Sequence, residues 1–346
     1  MTTKILCVAD GTITRKMMED MRTLEQLGAE VTIVEDTDMA TIADVTDRMG
    51  LIEREGIDAA PGCPALVENC ADADVIVVHV ASINREVIEK AKNLKLAAVL
   101  RGGIENADTA ALAERSIPLI NAPWRSANAV ADFTVGMMIA ENKNIARSHK
   151  LLMDGVWCKK YANQSHIRDM RKCTVGLVGV GNIGSRVAKR LTGFESRVIA
   201  YDPYLSPDKV EALGIEPVES LEDLLVQSDF VSLHMRISEA THHMINAQTL
   251  ALMKPTAYLI NTARADLVDE HALAKALAAH TIGGAAIDVY ASEPLAKDHP
   301  YLSLDNITIT SHLAGTSADT MQTSVEIGVE ELTRYLKGEP LQTLCR

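Results

Sequence analysis

The chain has 346 residues, enough for two domains. Apolar residues make up 47% and charged residues 23%, while only 3% is aromatic, so the cores must be aliphatic, as suits parallel sheets covered by helices. Against 47 Asp and Glu stand 34 Lys and Arg, a net charge of −13, and with no basic run this argues against nucleic acid or an anionic membrane as partner. A small anionic substrate is not excluded, because one or two local arginines outweigh a distant, diffuse charge.

The first segment, MTTKILCVAD, leads directly into a strand pattern with no preceding signal-peptide signature, and no apolar run approaches membrane-spanning length. The expectation is a cytoplasmic protein. The six cysteines (Cys7, Cys63, Cys70, Cys158, Cys173 and Cys345) form no C-x-x-C pair and read as free thiols.

Short β-branched or aliphatic runs at 5–9, 30–35, 74–80, 96–101 and 117–122 read as five strands. Between the first two, Met17, Met21, Leu24 and Leu27 repeat at helical spacing. Strand–helix alternation implies right-handed βαβ units in an open parallel sheet. From Asn128 to Gly155 the pattern is that of one uninterrupted helix, too apolar for a free linker. A second series of six strands follows, at 174–178, 197–201, 230–233, 257–261, 284–288 and 307–310. The last helix carries Met321, Val325, Val329, Leu332 and Leu336 on one face and stops at Gly338.

The second series opens on a dinucleotide pattern. The strand TVGLV runs into Gly179-Val-Gly181-Asn182-Ile183-Gly184 and then a helix. Gly179 permits a tight turn, Gly181 lets the backbone approach a pyrophosphate, and Gly184 lets helix and strand pack closely. The pyrophosphate would sit on the free N–H groups of the helix N-terminus. The next strand, RVIAY, ends at Asp202, whose carboxylate can accept ribose hydroxyls and would repel a 2′-phosphate. No Arg or Lys follows closely, so the expected cofactor is NAD rather than NADP.

Three later strand ends carry polar groups: Asn261-Thr262-Ala263-Arg264, Asp288 to Glu293, and Ser311-His312 to Gly315. Hydride transfer at an alcohol carbon needs a group that takes or returns the hydroxyl proton, and histidine suits neutral pH. A nearby carboxylate would orient the ring and favour its imidazolium. Arginine offers a carboxylate or a carbonyl a fixed fork of donors.

From about Val75 to Gly315 the chain resembles the D-isomer-specific 2-hydroxyacid dehydrogenase family, in its phosphoglycerate-dehydrogenase-like branch. The stretches that carry the resemblance are LRGGIENAD, NAPWRSANAVADFTVGMMIA, VGVGNIGSRVAKRL, YDPY, LINTARADLVDEHALAKAL, GAAIDVYASEP and ITSHLAGT. The resemblance implies an α/β fold of two doubly wound parallel-sheet domains: a Rossmann NAD-binding domain at 123–315 and a flavodoxin-like substrate domain at 1–122 plus 316–346, with a cleft between them. It implies that Arg264 binds and polarises the substrate, that His312 is the acid/base, and that Glu293 is its partner. Thr262 and Asp288 would border the nicotinamide. Asn182, Ile183, His234, Thr241 and Gly315 join the expected cofactor set, and the backbone of Arg101, Gly102 and Gly103 would hold the substrate carboxylate. A homodimer built partly on the long Asn128 helix is also implied.

Three departures from the family pattern stand out: Ala265 where glycine is usual, Arg236 for a common proline, and Trp124 for a common glycine. His79, His234 and the His242-His243 pair lack metal-ligand spacing, so no metal is expected. The expected activity is NAD-dependent interconversion of a small D-2-hydroxy acid and its 2-oxo acid. The alternative is a non-catalytic NAD(H)-sensing protein of the corepressor type. A formate-type site would carry glutamine in place of Glu293 and is disfavoured.

Overall fold

Twelve parallel strands in two separate sheets organise the computed structural model, which describes residues 2–60 and 62–345. The chain divides into two units, Met1–Arg125 with Ser317–Arg346, and Ser126–Thr316. The divisions fall three residues and one residue beyond the boundaries read from sequence. Arg125 falls in the first unit and bonds His79 there through its side chain.

The first unit holds β1 (Thr3–Ala9), β2 (Ala29–Glu35), β3 (Val75–Val78), β4 (Leu96–Val99) and β5 (Leu119–Asn121), in the order β2-β1-β3-β4-β5. This is the flavodoxin-type order. The central runs VIVV and LAAV are buried at every position, whereas the edge strand β2 alternates buried and exposed residues. Several strands stop short of their expected ends: β3 leaves the ladder at Val78, although Val80 and Ala81 stay buried. Burial outlasts pairing there, so the apolar pattern overextends the strand.

Between β1 and β2 the expected single helix is one α turn, Arg15–Met18, followed by tighter 3-10 winding over Glu19–Leu27. Met21 and Leu24 are buried while Leu27 is exposed. The C-terminal helix, Asp319–Lys337, completes this unit. Its Val325 and Leu332 join Ile5, Cys7, Met18 and Leu100 in one core. It passes closely at Gly328, where a Cβ would lie 2.6 Å from Leu100 Cδ2. Gly338, at φ 71°, ends the helix as expected.

The second unit holds β6 (Thr174–Val178), β7 (Arg197–Tyr201), β8 (Glu216–Pro217), β9 (Phe230–Leu233), β10 (Tyr258–Asn261), β11 (Gly284–Ile287) and β12 (Ile307–Ile309). Their order is β12-β11-β10-β9-β6-β7-β8. The unexpected seventh strand, β8, is two residues paired to β7, too short to leave a periodic pattern.

The helix expected over Asn128–Gly155 is broken. Helices Ala127–Asn142 and Ile145–Met153 meet at Asn144, which adopts φ 55°. Polar pairing explains the break. Asn142 Nδ2 donates to the Arg168 carbonyl at 2.9 Å, and Asn144 Nδ2 donates to Asn163 Oδ1 at 2.8 Å. Arg147 Nη2 folds back to the buried Glu141 carboxylate at 2.5 Å. Asn tolerates the left-handed conformation, and these buried bonds outweigh continuation of the helix. All six cysteines are free, and no described helix is long and apolar enough to cross a membrane.

Candidate active site

In the second unit, strand order reverses between neighbouring β6 and β9, the point where doubly wound sheets bind ligands. Past β6 the chain turns at Gly179, φ 94°, where a Cβ would sit 2.8 Å from Met235 Sδ. A Cβ on Gly184 would collide with the Gly179 carbonyl. Gly181 caps helix Asn182–Thr192, and nothing lies within 4 Å of its Cβ position, so its backbone is open to approach. An open backbone at a helix N-terminus suits a pyrophosphate. Asn182 begins that helix, and Ile183 packs against the core beneath it.

Asp202 stands just past β7 and braces the glycine turn. One carboxylate oxygen accepts the Val180 N–H at 2.7 Å and the other the Tyr204 N–H at 2.9 Å. A carboxylate has about four lone-pair sites, so acceptor capacity for a ribose remains.

His234 follows β9. Its Nε2 lies 3.1 Å from Ser232 Oγ, and its Nδ1 is buried without a partner among the described residues. Burial pushes its pKa down to about 4, so the ring is neutral at physiological pH. Thr241, expected on the cofactor, spends its hydroxyl on its own loop. It donates to the Arg236 carbonyl at 2.7 Å and accepts the Ser238 N–H at 2.8 Å. Thr262 is similarly engaged, its Oγ1 lying 2.7 Å from that of Thr134, with both residues buried.

Arg264 leaves β10 in extended backbone, its turn locked by Asn261, which donates to the Arg264 carbonyl at 2.9 Å and accepts the Ala263 N–H at 3.0 Å. The exposed Arg264 guanidinium donates to the Ala263 carbonyl, and among the described residues no carboxylate lies within ion-pair distance. Its fork remains available to an external anion.

Asp288 follows β11 and is fully buried. It was expected at the nicotinamide, yet its carboxylate is spent inside the protein. Oδ1 accepts from the Thr310 hydroxyl at 2.6 Å and from the Leu313 N–H at 2.9 Å, and Oδ2 accepts the Ala314 N–H at 2.9 Å. Asp288 thereby anchors the segment after β12 that carries His312.

His312 adopts φ 55°, an uncommon conformation outside glycine that surrounding bonds must hold in place. Its Nδ1 lies 2.8 Å from Glu293 Oε2 and 3.1 Å from Oε1. Glu293 Oε1 also accepts the Tyr290 N–H at 3.2 Å, and the Glu293–Pro294 peptide is cis. The hydrogen bond from His312 holds the Glu293 carboxyl below its ordinary range. A pocket of about 470 Å³ opens beside the pair, lined by Tyr290, Pro294, Leu295 and Leu313. Gly315 shows no need for glycine, since an added Cβ would make ordinary contact 3.6 Å from Ser126 Cβ.

Residues 135–314 match the family model described as D-isomer specific 2-hydroxyacid dehydrogenase, NAD binding domain. The chain belongs to the D-isomer-specific 2-hydroxyacid dehydrogenase family. It is 36% identical over 297 residues to a D-3-phosphoglycerate dehydrogenase of Methanocaldococcus jannaschii, covering 85% of this chain and 56% of that one. The chain thus spans little more than half of that relative's length. It is 35% identical over 292 residues to a glyoxylate reductase of Thermofilum pendens, covering 84% and 86%. The NAD-complexed D-isomer specific 2-hydroxyacid dehydrogenase of Lactobacillus delbrueckii ssp. bulgaricus shares the fold at a TM-score of 0.74 and 23% identity, covering 99% of this chain and all of that one.

Of the three departures from the family pattern, one has a local explanation. Ala265 avoids positive φ and starts the 3-10 turn Ala265–Leu267, so its methyl needs no backbone adjustment. Arg236 is exposed, and Trp124 is half-buried beside Arg125. His242 and His243 stack ring on ring at 3.9 Å, and among the described residues no group of three or more metal-ligating side chains gathers.

In the first unit Arg101 is buried. Its Nη2 reaches Glu53 at 3.0 Å and Glu105 at 3.5 Å, while Nε and Nη1 have no partner among the described residues. Gly102 is open, but a Cβ on Gly103 would collide with the Glu105 carboxylate. Asp10, His79 and Arg125 also converge in this unit. Arg125 falls within the stretch NAPWRSANAVADFTVGMMIA and His79 read only as a non-ligand histidine, so their three-dimensional meeting with Asp10 is what singles the group out.

Proposed function

We propose that the chain is an NAD-dependent oxidoreductase that interconverts a small D-2-hydroxy acid and its 2-oxo acid. The carrying observation is the bond between His312 Nδ1 and Glu293, at the ends of β12 and β11, within the stretch that matches the family's NAD-binding domain. The carboxylate holds the hydrogen on Nδ1 and leaves Nε2 to exchange a proton with the substrate oxygen. Bound nicotinamide supplies or accepts the hydride at C2. In reduction, Nε2–H of the imidazolium protonates the carbonyl oxygen, and Glu293 stabilises the charged ring beforehand. In oxidation, neutral Nε2 accepts the hydroxyl proton. Arg264 presents its unpaired fork to the substrate carboxylate and polarises the carbonyl.

Gly179, Gly181, Gly184 and Asp202 form the cofactor cradle in this reading. The carboxylate at Asp202 favours NAD over NADP. The names of the relatives, dehydrogenase and reductase, weigh against a purely cofactor-sensing protein. We also read the exposed apolar run Ile145, Leu152, Met153, Val156 and Trp157 as the seat of a second copy of the chain, giving a homodimer.

The test is reduction of a panel of 2-oxo acids with NADH and NADPH in parallel. NADH-dependent turnover of at least one short 2-oxo acid is expected, with NADPH much weaker. NADH binding without turnover of any panel member would contradict the reading.

A further inference from the structure

Glu293 sits on a loop that burial does not fix. Between Tyr290 and the 3-10 turn Pro300–Ser303, residues 291–294 and 296–298 are exposed, and Leu295 between them packs against the core. The loop has no helix or strand of its own. Such a segment keeps one conformation only as far as its hydrogen bonds and few packed side chains hold it. The bond from Glu293 to His312 Nδ1 therefore depends on how the loop is fastened.

Glu270 supplies the fastening. It is the first residue of the helix Glu270–Ala278, whose start is already capped by Asp269, which accepts the Ala272 N–H at 3.0 Å. The half-buried Glu270 carboxylate reaches across to the loop instead. Its Oε1 accepts the Ala291 N–H at 3.0 Å, and its Oε2 lies 3.7 Å from His299 Nε2. His299 Nδ1 accepts the Tyr301 N–H at 3.3 Å, so in the neutral ring the hydrogen is on Nε2 and faces Glu270. The same ring rests edge-on against the buried Tyr301, with centroids 4.6 Å apart. One carboxylate thus grips the loop on both sides of Glu293, at Ala291 before it and at His299 after it. An acid that served only the helix dipole would need no such reach, because any carboxylate in the first turn does that.

We propose that Glu270 is a positioning residue for the acid/base pair: by holding Ala291 and His299 it fixes the loop that presents Glu293 to His312. This rests on the dehydrogenase reading above, because Glu270 acts on the reaction only through Glu293.

The experiment compares Glu270→Asp and Glu270→Gln, each alone and combined with Glu293→Ala. Aspartate keeps the charge at the helix start but is one methylene short of the Ala291 N–H. Glutamine keeps the reach and an accepting oxygen but loses the charge. Small displacements of catalytic groups cost up to about a hundredfold, so Glu270→Asp should lower kcat for 2-oxo acid reduction by about tenfold or more, with substrate KM and NADH affinity little changed. Glu270→Gln should keep most of the wild-type rate. Beside Glu293→Ala, where no carboxylate remains to be placed, Glu270→Asp should cost less than about twofold. A helix-charge role predicts the opposite order, with glutamine worse than aspartate, and an equal loss with and without Glu293. Either result overturns the proposal.

Amide hydrogen exchange gives a readout that needs no turnover. Ala291 is exposed, so slow exchange of its N–H reports the bond to Glu270 rather than burial. The wild type should protect this amide by about tenfold or more over an open chain, and Glu270→Asp should lose that protection. An unprotected Ala291 amide in the wild type overturns the proposal, even where Glu270→Asp fails to fold. If the wild type reduces none of a broad 2-oxo acid panel, the dehydrogenase reading falls. Protection that is lost in Glu270→Asp would then still support the grip of Glu270 on the Glu293 loop.

Discussion

Asp288 accepts the backbone N–H of Leu313 at 2.9 Å, and so holds from beneath the segment in which His312 adopts its left-handed conformation. Two further bonds, from the Thr310 hydroxyl and the Ala314 N–H, complete the anchor. Replacing Asp288 with Asn keeps the shape but turns an NH2 group toward one of these donors, leaving a buried donor unpaired at a cost of about 1–3 kcal/mol. A small displacement of a catalytic group costs up to about a hundredfold in rate. Asp288→Asn should therefore lose most of kcat, with substrate KM and NADH affinity changing little. A wild-type kcat in stopped-flow reduction would show that the anchor is dispensable.

The Glu293 carboxyl is held below its ordinary range by its hydrogen bond with His312. In Glu293→Gln the amide oxygen can still accept from His312 Nδ1, but the ring loses its anionic partner and is held in place less firmly. kcat for 2-oxo acid reduction should fall, by less than on removal of the histidine, while NADH affinity holds. A wild-type kcat in Glu293→Gln would separate Glu293 from the acid/base chemistry.

How much of this was legible in the sequence depends on how local each feature is. Gly179, Gly181, Gly184 and Asp202 lie along one strand–helix–strand unit, so although the glycine spacing alone is a weak signal, the strand, turn, helix, strand and acid can be read in order from one stretch. The break at Asn144 was not legible, because it depends on Asn163 and Arg168, about twenty residues further along and joined only by folding. The same holds for Asp10, His79 and Arg125, which come from three separate strand ends. Asp288 and Thr262 were found as polar residues at the correct strand ends. Which group each would bond could not be read, because Thr134 and Thr310 are brought to them by the fold.

His234 makes stability depend on pH. Its pKa falls from 6.5 to about 4 because burial disfavours the charged ring. A base with a depressed folded value contributes stability fully above its unfolded value and loses it as pH falls toward the folded one. Between pH 6.5 and about 4, unfolding free energy should decline by up to about 1.4 kcal/mol per pH unit from this group. Urea unfolding across that range should show a shallower decline in His234→Asn. Parallel curves for variant and wild type would assign the decline to other groups.

Glu141 is buried at 1% exposure, paired with Arg147 at 2.5 Å and accepting from the Thr308 hydroxyl at 2.6 Å. Removing one partner of a buried pair costs about 3–5 kcal/mol, because the remaining charge is stranded. Arg147→Met should approach that loss in chemical denaturation, whereas Glu141→Gln, which removes the buried charge and keeps one acceptor while the Thr308 hydroxyl can turn to accept from the new NH2 group, should lose less. Equal stability of Arg147→Met and wild type would mean that the carboxylate finds another partner.

The most direct test of the account is His312→Ala, assayed for both turnover and cofactor binding. Positioned proton transfer contributes about 10²–10⁴-fold, so kcat for 2-oxo acid reduction should fall by at least the lower figure. NADH affinity should hold, because Gly179–Gly184 and Asp202 are untouched. Near-wild-type turnover in His312→Ala would contradict the account.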